Sequence, residues 1–103
     1  MSFSIGTDIV YIPRIKKLIE NESALRKMFH ESELGTMSAE HLSGIIAAKE
    51  SLIKAIGNIG FLDIAVKSNS RPEVIVSNKR IKKAEVSISH DGDYAIAFAL
   101  VEL

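Results

Sequence analysis

The chain has no cysteine among its 103 residues; this excludes disulfides and thiolate metal sites and fits a reducing cytoplasm. It has no surplus of either charge, because thirteen basic and thirteen acidic residues cancel. Bulk attraction to nucleic acid is therefore not expected, and any basic surface has to be local. No apolar run approaches the ~20 residues that a membrane span needs, and Met1 to Val10 lacks the cationic start and long apolar core of a leader. Internal repeats, low-complexity tracts and linkers are also missing. The expectation is one domain over residues 1–103 in a soluble, cytoplasmic protein without nucleic-acid or membrane partners. A domain of this size buries only about two thirds of its unfolded surface, so association with further copies would relieve a shortage of core.

What is present reads as alternating strands and one long helix. Phe3, Ile5, Thr7 and Ile9 alternate with Ser4, Gly6, Asp8 and Val10, a period of two that predicts a first strand with Asp8 on the face opposite Ile5 and Ile9. Pro13 suits the first turn of a helix, where its missing N–H costs nothing. That helix carries Ile15, Leu18 and Ile19 inward and Arg14, Lys16 and Lys17 outward, and Ser23 is expected to cap a continuation through Leu25, Met28 and Phe29. From Leu42 to Ile56 the large apolar residues fall at helical spacing with one buried stripe, Ser38 being the expected N-cap and Gly57 the close.

Beyond Gly60, Leu62, Ile64 and Val66 alternate as a second strand, Ser68 to Pro72 reads as a turn, and Val74 to Val76 makes a third strand. A short basic connection from Asn78 to Lys83 leads into two strands, Glu85 to His90 and Tyr94 to Val101, joined around Asp91-Gly92-Asp93 as a hairpin. Ala95, Ala97 and Ala99 line one face of the last strand and leave room for the central helix to approach closely. The fold class is α+β, an antiparallel sheet packed against a long central helix.

Within that helix Glu50 and Lys54 stand one turn apart on neighbouring points of one face. Taken alone they would be a solvated pair adding roughly 0.3 to 0.5 kcal/mol. Two other stretches keep them company. Ser4-Ile5-Gly6-Thr7-Asp8-Ile9-Val10 holds a carboxylate inside a strand, and Ser87-Ile88-Ser89-His90-Asp91 ends another strand in a hydroxyl, an imidazole and an acid.

A GTDIV strand, an AAKE-x-x-x-K helix and an SISH strand end, in that order between Ile5 and Ala97, resemble the holo-acyl-carrier-protein synthase family of 4′-phosphopantetheinyl transferases. The resemblance implies transfer of the phosphopantetheine arm of coenzyme A to a serine of an apo acyl carrier protein. It also implies a homotrimer whose site is shared between neighbouring subunits. By the same resemblance Asp8 and Glu50 bind Mg²⁺, a hard cation suited to carboxylate oxygens and phosphates, and Glu50 and Lys54 are the catalytic pair. Contacts to coenzyme A fall to Lys54, Gly57, Arg71, Pro72, Ser89 and His90. Arg14, among five basic residues between Arg14 and Lys27, faces the acidic carrier protein, where complementary charge speeds encounter and sets orientation.

The chain departs from the pattern at three places. His30 stands where the family's F-T-x-x-E stretch has a capping threonine, which predicts a looser turn before Glu33. Ser70-Arg71-Pro72 replaces Gly-Lys-Pro and keeps the cation. Ile45 replaces an arginine that reaches phosphate, so poor discrimination between coenzyme A and its analogue without the 3′-phosphate is expected. Ile45 also keeps open a non-catalytic trimeric module that binds coenzyme A or a carrier protein, beside a transferase for a specialised carrier domain.

Overall fold

The computed structural model describes residues 2–67 and 70–103. Strand β1 (Phe3–Tyr11) runs into helix α1 (Ile12–Ile19) and helix α2 (Glu22–Met28), then a single 3₁₀ turn (Glu31–Leu34) and helix α3 (Ala39–Ile56). A second 3₁₀ turn (Phe61–Asp63) precedes strands β2 (Ile64–Lys67), β3 (Glu73–Val76), β4 (Lys83–Asp91) and β5 (Tyr94–Glu102). The sheet order is β1-β5-β4 throughout antiparallel, and β2 and β3 form a separate two-stranded ribbon. The predicted antiparallel sheet against a long helix is what forms.

The ends of the elements follow from local chemistry. Pro13 opens α1, Ser38 accepts the N–H of His41 at the start of α3, and Gly57 at φ +75° donates its N–H to Ile53 as α3 ends. The cap of α2 is Asn21, whose side chain accepts the N–H of Ala24 at 3.1 Å; Ser23, expected in that role, lies exposed inside the helix. Asn and Ser cap equally well, so the side chain at the bend decided. Leu62, expected in β2, sits in the preceding 3₁₀ turn with 46% exposure. Of the turn expected from Ser68 to Pro72, Ser68 and Asn69 lie outside the described residues, and Ser70 and Arg71 form a bend. Gly92, at φ +57°, turns the β4–β5 hairpin as expected.

Small residues let α3 lie close on the sheet. In register, Gly6 faces Ala99, Asp8 faces Ala97 and Val10 faces Ala95, and the three alanines of β5 are fully buried. A Cβ added to Gly6 would come within 2.0 Å of the Ser51 carbonyl oxygen, so backbone meets backbone there. Ser4 donates its hydroxyl to the Ala55 carbonyl at 2.5 Å one step along. Against the expected single stripe, α3 is buried on every side from Leu42 to Lys49, because the sheet covers one flank and α1 and the β2 region close the others.

The helix covers the polar and small face of β1. Phe3, Ile5 and Ile9 point the other way and remain 57 to 60% exposed, joined on the outer face of β5 by Ile96 and Phe98.

Candidate active site

Asp8 stands on the helix-facing side of β1, and the crossing of β1 over α3 brings it to Lys54. The Lys54 ammonium donates to Asp8 Oδ1 at 3.1 Å and to the Thr7 carbonyl at 2.9 Å. The solvated Glu50–Lys54 pair that helical spacing taken alone suggests does not form; Lys54 reaches across to the strand instead. Glu50 lies one turn earlier on the same flank, half-buried, and makes no ion pair or side-chain hydrogen bond among the described residues. Asp8 and Lys54 thus form a polar contact between two adjacent elements, a cation held at a carboxylate, with Glu50 one turn earlier along α3. The aspartate side chain is only 16% exposed and the lysine 56%, so the pair opens to solvent on the lysine side.

Among the described residues no group of three acidic or histidine side chains gathers where a metal ion could bind. As a donor set two carboxylates would suit Mg²⁺, which is commonly held by one or two carboxylates with water and substrate phosphates completing its shell.

His90 faces α3 at the other end of the sheet. Its Nε2 lies 3.2 Å from the Glu40 carbonyl oxygen, and its ring lies so close over Gly44 that a Cβ there would be 3.1 Å from Nε2. A pocket of about 240 Å³ opens beside it between His41, Gly44, Ile45, Pro72, Ile88 and His90. Two expected contact residues, Pro72 and His90, therefore meet at one pocket, and Ile45 forms part of its wall while remaining 2% exposed. At 1.5 Å per residue the pocket lies about 9 Å along α3 from Glu50, within the span of an extended nucleotide ligand.

The remaining expected residues are not gathered by the single chain. Ser89 is on the outer face of the sheet opposite Ile96, Arg71 is 89% exposed and 3.7 Å from Glu85, Gly57 ends α3, and Arg14 lies exposed on α1.

Two residues that lie inside the quoted motifs but were given no role there, Lys49 and Glu33, belong to the frame of the site. Lys49 is fully buried; its ammonium donates to Glu33 Oε1 at 2.7 Å and to the Met28 carbonyl at 2.8 Å. Burial pushes the Lys49 pKa down, while the hydrogen bond and charge of Glu33 pull it back. Glu33 also accepts the N–H of His30 at 2.7 Å and that of Val66 at 2.8 Å. The turn after His30 is therefore pinned rather than loose: His30 gives no side-chain cap, and Glu33 replaces it. A lysine at helical spacing from Leu42, Ile45, Ile46 and Leu52 was the signal for Lys49, and an isolated glycine in a strand was the signal for Gly6.

Lys49→Met is expected to lower folding stability by about 3 to 5 kcal/mol, since it leaves the buried Glu33 carboxylate without its cation. Denaturant unfolding checks this, and an unchanged midpoint and slope would mean that the pair is not formed.

Residues 4–99 match the 4′-phosphopantetheinyl transferase superfamily. The chain belongs to this superfamily and is an enzyme of the phosphopantetheinyl transferase class. Among its relatives are the holo-[acyl-carrier-protein] synthase of Ehrlichia chaffeensis, 37% identical over 119 aligned positions covering 98% of this chain and 97% of that protein, and that of Nautilia profundicola, 41% identical over 110 positions covering 94% and 97%. The crystal structure of the Helicobacter pylori holo-[acyl-carrier-protein] synthase in complex with coenzyme A superposes with a TM-score of 0.85 at 32% identity, covering 95% of this chain and 99% of that one.

Proposed function

We propose that the chain transfers the 4′-phosphopantetheine arm of coenzyme A to a serine of an apo acyl carrier protein in a Mg²⁺-dependent reaction. The observation that carries this reading is the Asp8–Lys54 contact with Glu50 one turn along α3, which brings two of the three motifs together. In the reaction the serine oxygen forms a bond to the phosphorus that bears pantetheine. The bond from that phosphorus to the bridging oxygen breaks, and adenosine 3′,5′-bisphosphate leaves with the electron pair. Asp8 and Glu50 would hold Mg²⁺, which supplies charge neutralisation at the phosphate oxygens.

Lys54 turns from Asp8 to the pyrophosphate and stabilises the charge that builds on the leaving group. The serine proton passes to a carboxylate or to water, Glu50 being the carboxylate that Lys54 does not engage. His90 and the pocket beside Ile45 would receive the nucleotide end of the donor. Arg14 on the exposed side of α1 would meet the acidic carrier. The test is incubation with coenzyme A, Mg²⁺ and an apo carrier protein, read by mass spectrometry. Addition of the arm to the carrier serine is expected, and a carrier that stays unmodified with every donor and carrier tried defeats the proposal.

The exposed apolar face of β1 and β5 supports assembly as a homotrimer, since a contiguous apolar sheet face on a small domain is a surface made for contact. Partner copies would also bring Arg71 and Ser89, which lie on that outer side, to a neighbour's site. Light scattering at micromolar concentration is expected to give three times the chain mass, and Ile96→Glu a monomer with transfer largely lost. A monomeric wild type removes the trimer.

A further inference from the structure

A buried lysine in a helix of a small domain is an expensive way to fill space, because well-packed apolar residues of similar volume stabilise as well or better. Lys49 has three N–H groups and three partners: the Met28 carbonyl, Glu33 Oε1, and the face of the Phe29 ring, with its centroid 5.5 Å away. Glu33 is equally committed, to Lys49, to the His30 N–H and to the Val66 N–H. One ion pair thus ties the last carbonyl of α2, the 3₁₀ turn and β2 to a single point on α3. An apolar side chain at 49 would still be buried but could slide; directed hydrogen bonds cannot.

That point is next to Glu50. Consecutive residues of an α-helix leave the axis about 100° apart, so a side chain fixed on the core side sets the direction in which its neighbour emerges. On the opposite flank, β1 bears on the same stretch through Gly6 at Ser51 and Ser4 at Ala55. The turn that carries Glu50 is therefore held from both sides.

We propose that Lys49, through its bond to Glu33, is the positioning residue for Glu50, fixing the rotation of α3 so that the Glu50 carboxylate faces Asp8. The inference rests on the reading of Asp8 and Glu50 as the Mg²⁺ pair. Mn²⁺ serves as the probe, titrated into the full chain with coenzyme A present and followed by electron paramagnetic resonance, with kcat for carrier modification measured beside it. The decisive variant is Lys49→Met with Glu33→Gln, a neutral pair that leaves no buried charge unpaired. It is expected to bind Mn²⁺ about 10- to 100-fold more weakly and to lose kcat by a similar factor, as when groups that orient metal ligands are removed.

A merely structural role would reduce the folded fraction, seen in the amplitude of the melt, and leave the Mn²⁺ affinity of the folded molecules unchanged. A folded double variant with wild-type Mn²⁺ affinity and kcat overturns the inference. If that variant does not fold, Glu33→Asp, which keeps the buried ion pair charged but shortens its reach to Lys49 and the Val66 N–H, decides by the same two readings, with at least about threefold weaker Mn²⁺ binding expected and wild-type values overturning the inference. A wild type that binds no Mn²⁺ in the presence of coenzyme A would instead remove the metal pair itself, so the two failures are distinguishable.

Discussion

Asp8→Asn and Glu50→Gln should each lower carrier modification by about a hundredfold to a thousandfold while leaving folding and assembly intact. Each substitution removes a negative charge at nearly constant volume. Metal polarisation of a phosphoryl group contributes several kcal/mol to a transition state, and every 1.36 kcal/mol lost is tenfold in rate. The stability side is small by contrast. Asp8 pairs with a lysine that is 56% exposed, and pairs open to water contribute at most about 1 kcal/mol. Glu50 makes no ion pair among the described residues. Activity measured across a range of Mg²⁺, alongside thermal melting, separates the two effects: loss of transfer with an unchanged melt is expected, whereas full activity in either variant ends the metal assignment.

Gly6→Ala is expected to damage both stability and catalysis through one added methyl group. The new Cβ would sit 2.0 Å from the Ser51 carbonyl oxygen, 3.0 Å from the Ala55 nitrogen and 3.1 Å from the Ser51 carbonyl carbon. All three are backbone atoms, so no rotamer change relieves the clash, and β1 has to withdraw from α3 by roughly an ångström or more to regain ordinary contact. Overpacking of this kind costs about 1 to 3 kcal/mol, with the upper end expected where only backbone can yield. Asp8 lies two residues further along the same face of β1, and Lys54 reaches it from α3. Separating the elements therefore also parts Asp8 from Lys54, and a displacement near 1 Å at a reacting site can cost about a hundredfold in rate. The same substitution at Gly35, where an added Cβ meets nothing within 4 Å, serves as the control. Equal behaviour of the two variants in melting and turnover would show that the close approach at Gly6 is not a constraint.

Much of the local structure was legible because it depends on near neighbours. Period-two alternation marked β1, the Ser38 and Gly57 signals bounded α3 correctly, and Asp91-Gly92-Asp93 set the β4–β5 hairpin. The alanines of β5 announced that a helix would come close, and α3 did. Errors arose where two readings were locally equal. Asn21 and Ser23 are both good caps two residues apart, and Leu62 continues an alternation that the 3₁₀ turn interrupts. The single stripe expected on α3 failed because small residues such as Ser43, Gly44 and Ala47 are buried there, and their burial reflects how many neighbours surround the helix rather than their own hydropathy.

The sequence by itself determined the candidate chemistry of this protein: the carboxylates of Asp8 and Glu50, the cation of Lys54, the imidazole of His90, and a helix that sets Glu50 and Lys54 one turn apart. These are properties of side chains and of helical repeat, and they need no knowledge of the rest of the fold. Only the tertiary structure decided that the polar face of β1 meets α3, that Lys54 pairs with Asp8 rather than Glu50, and that Lys49 is sealed against Glu33. Alternation says that two faces differ but not which one is covered. That choice rests on how closely two backbones can approach, which a glycine and three alanines made possible at a crossing between residues far apart in the chain.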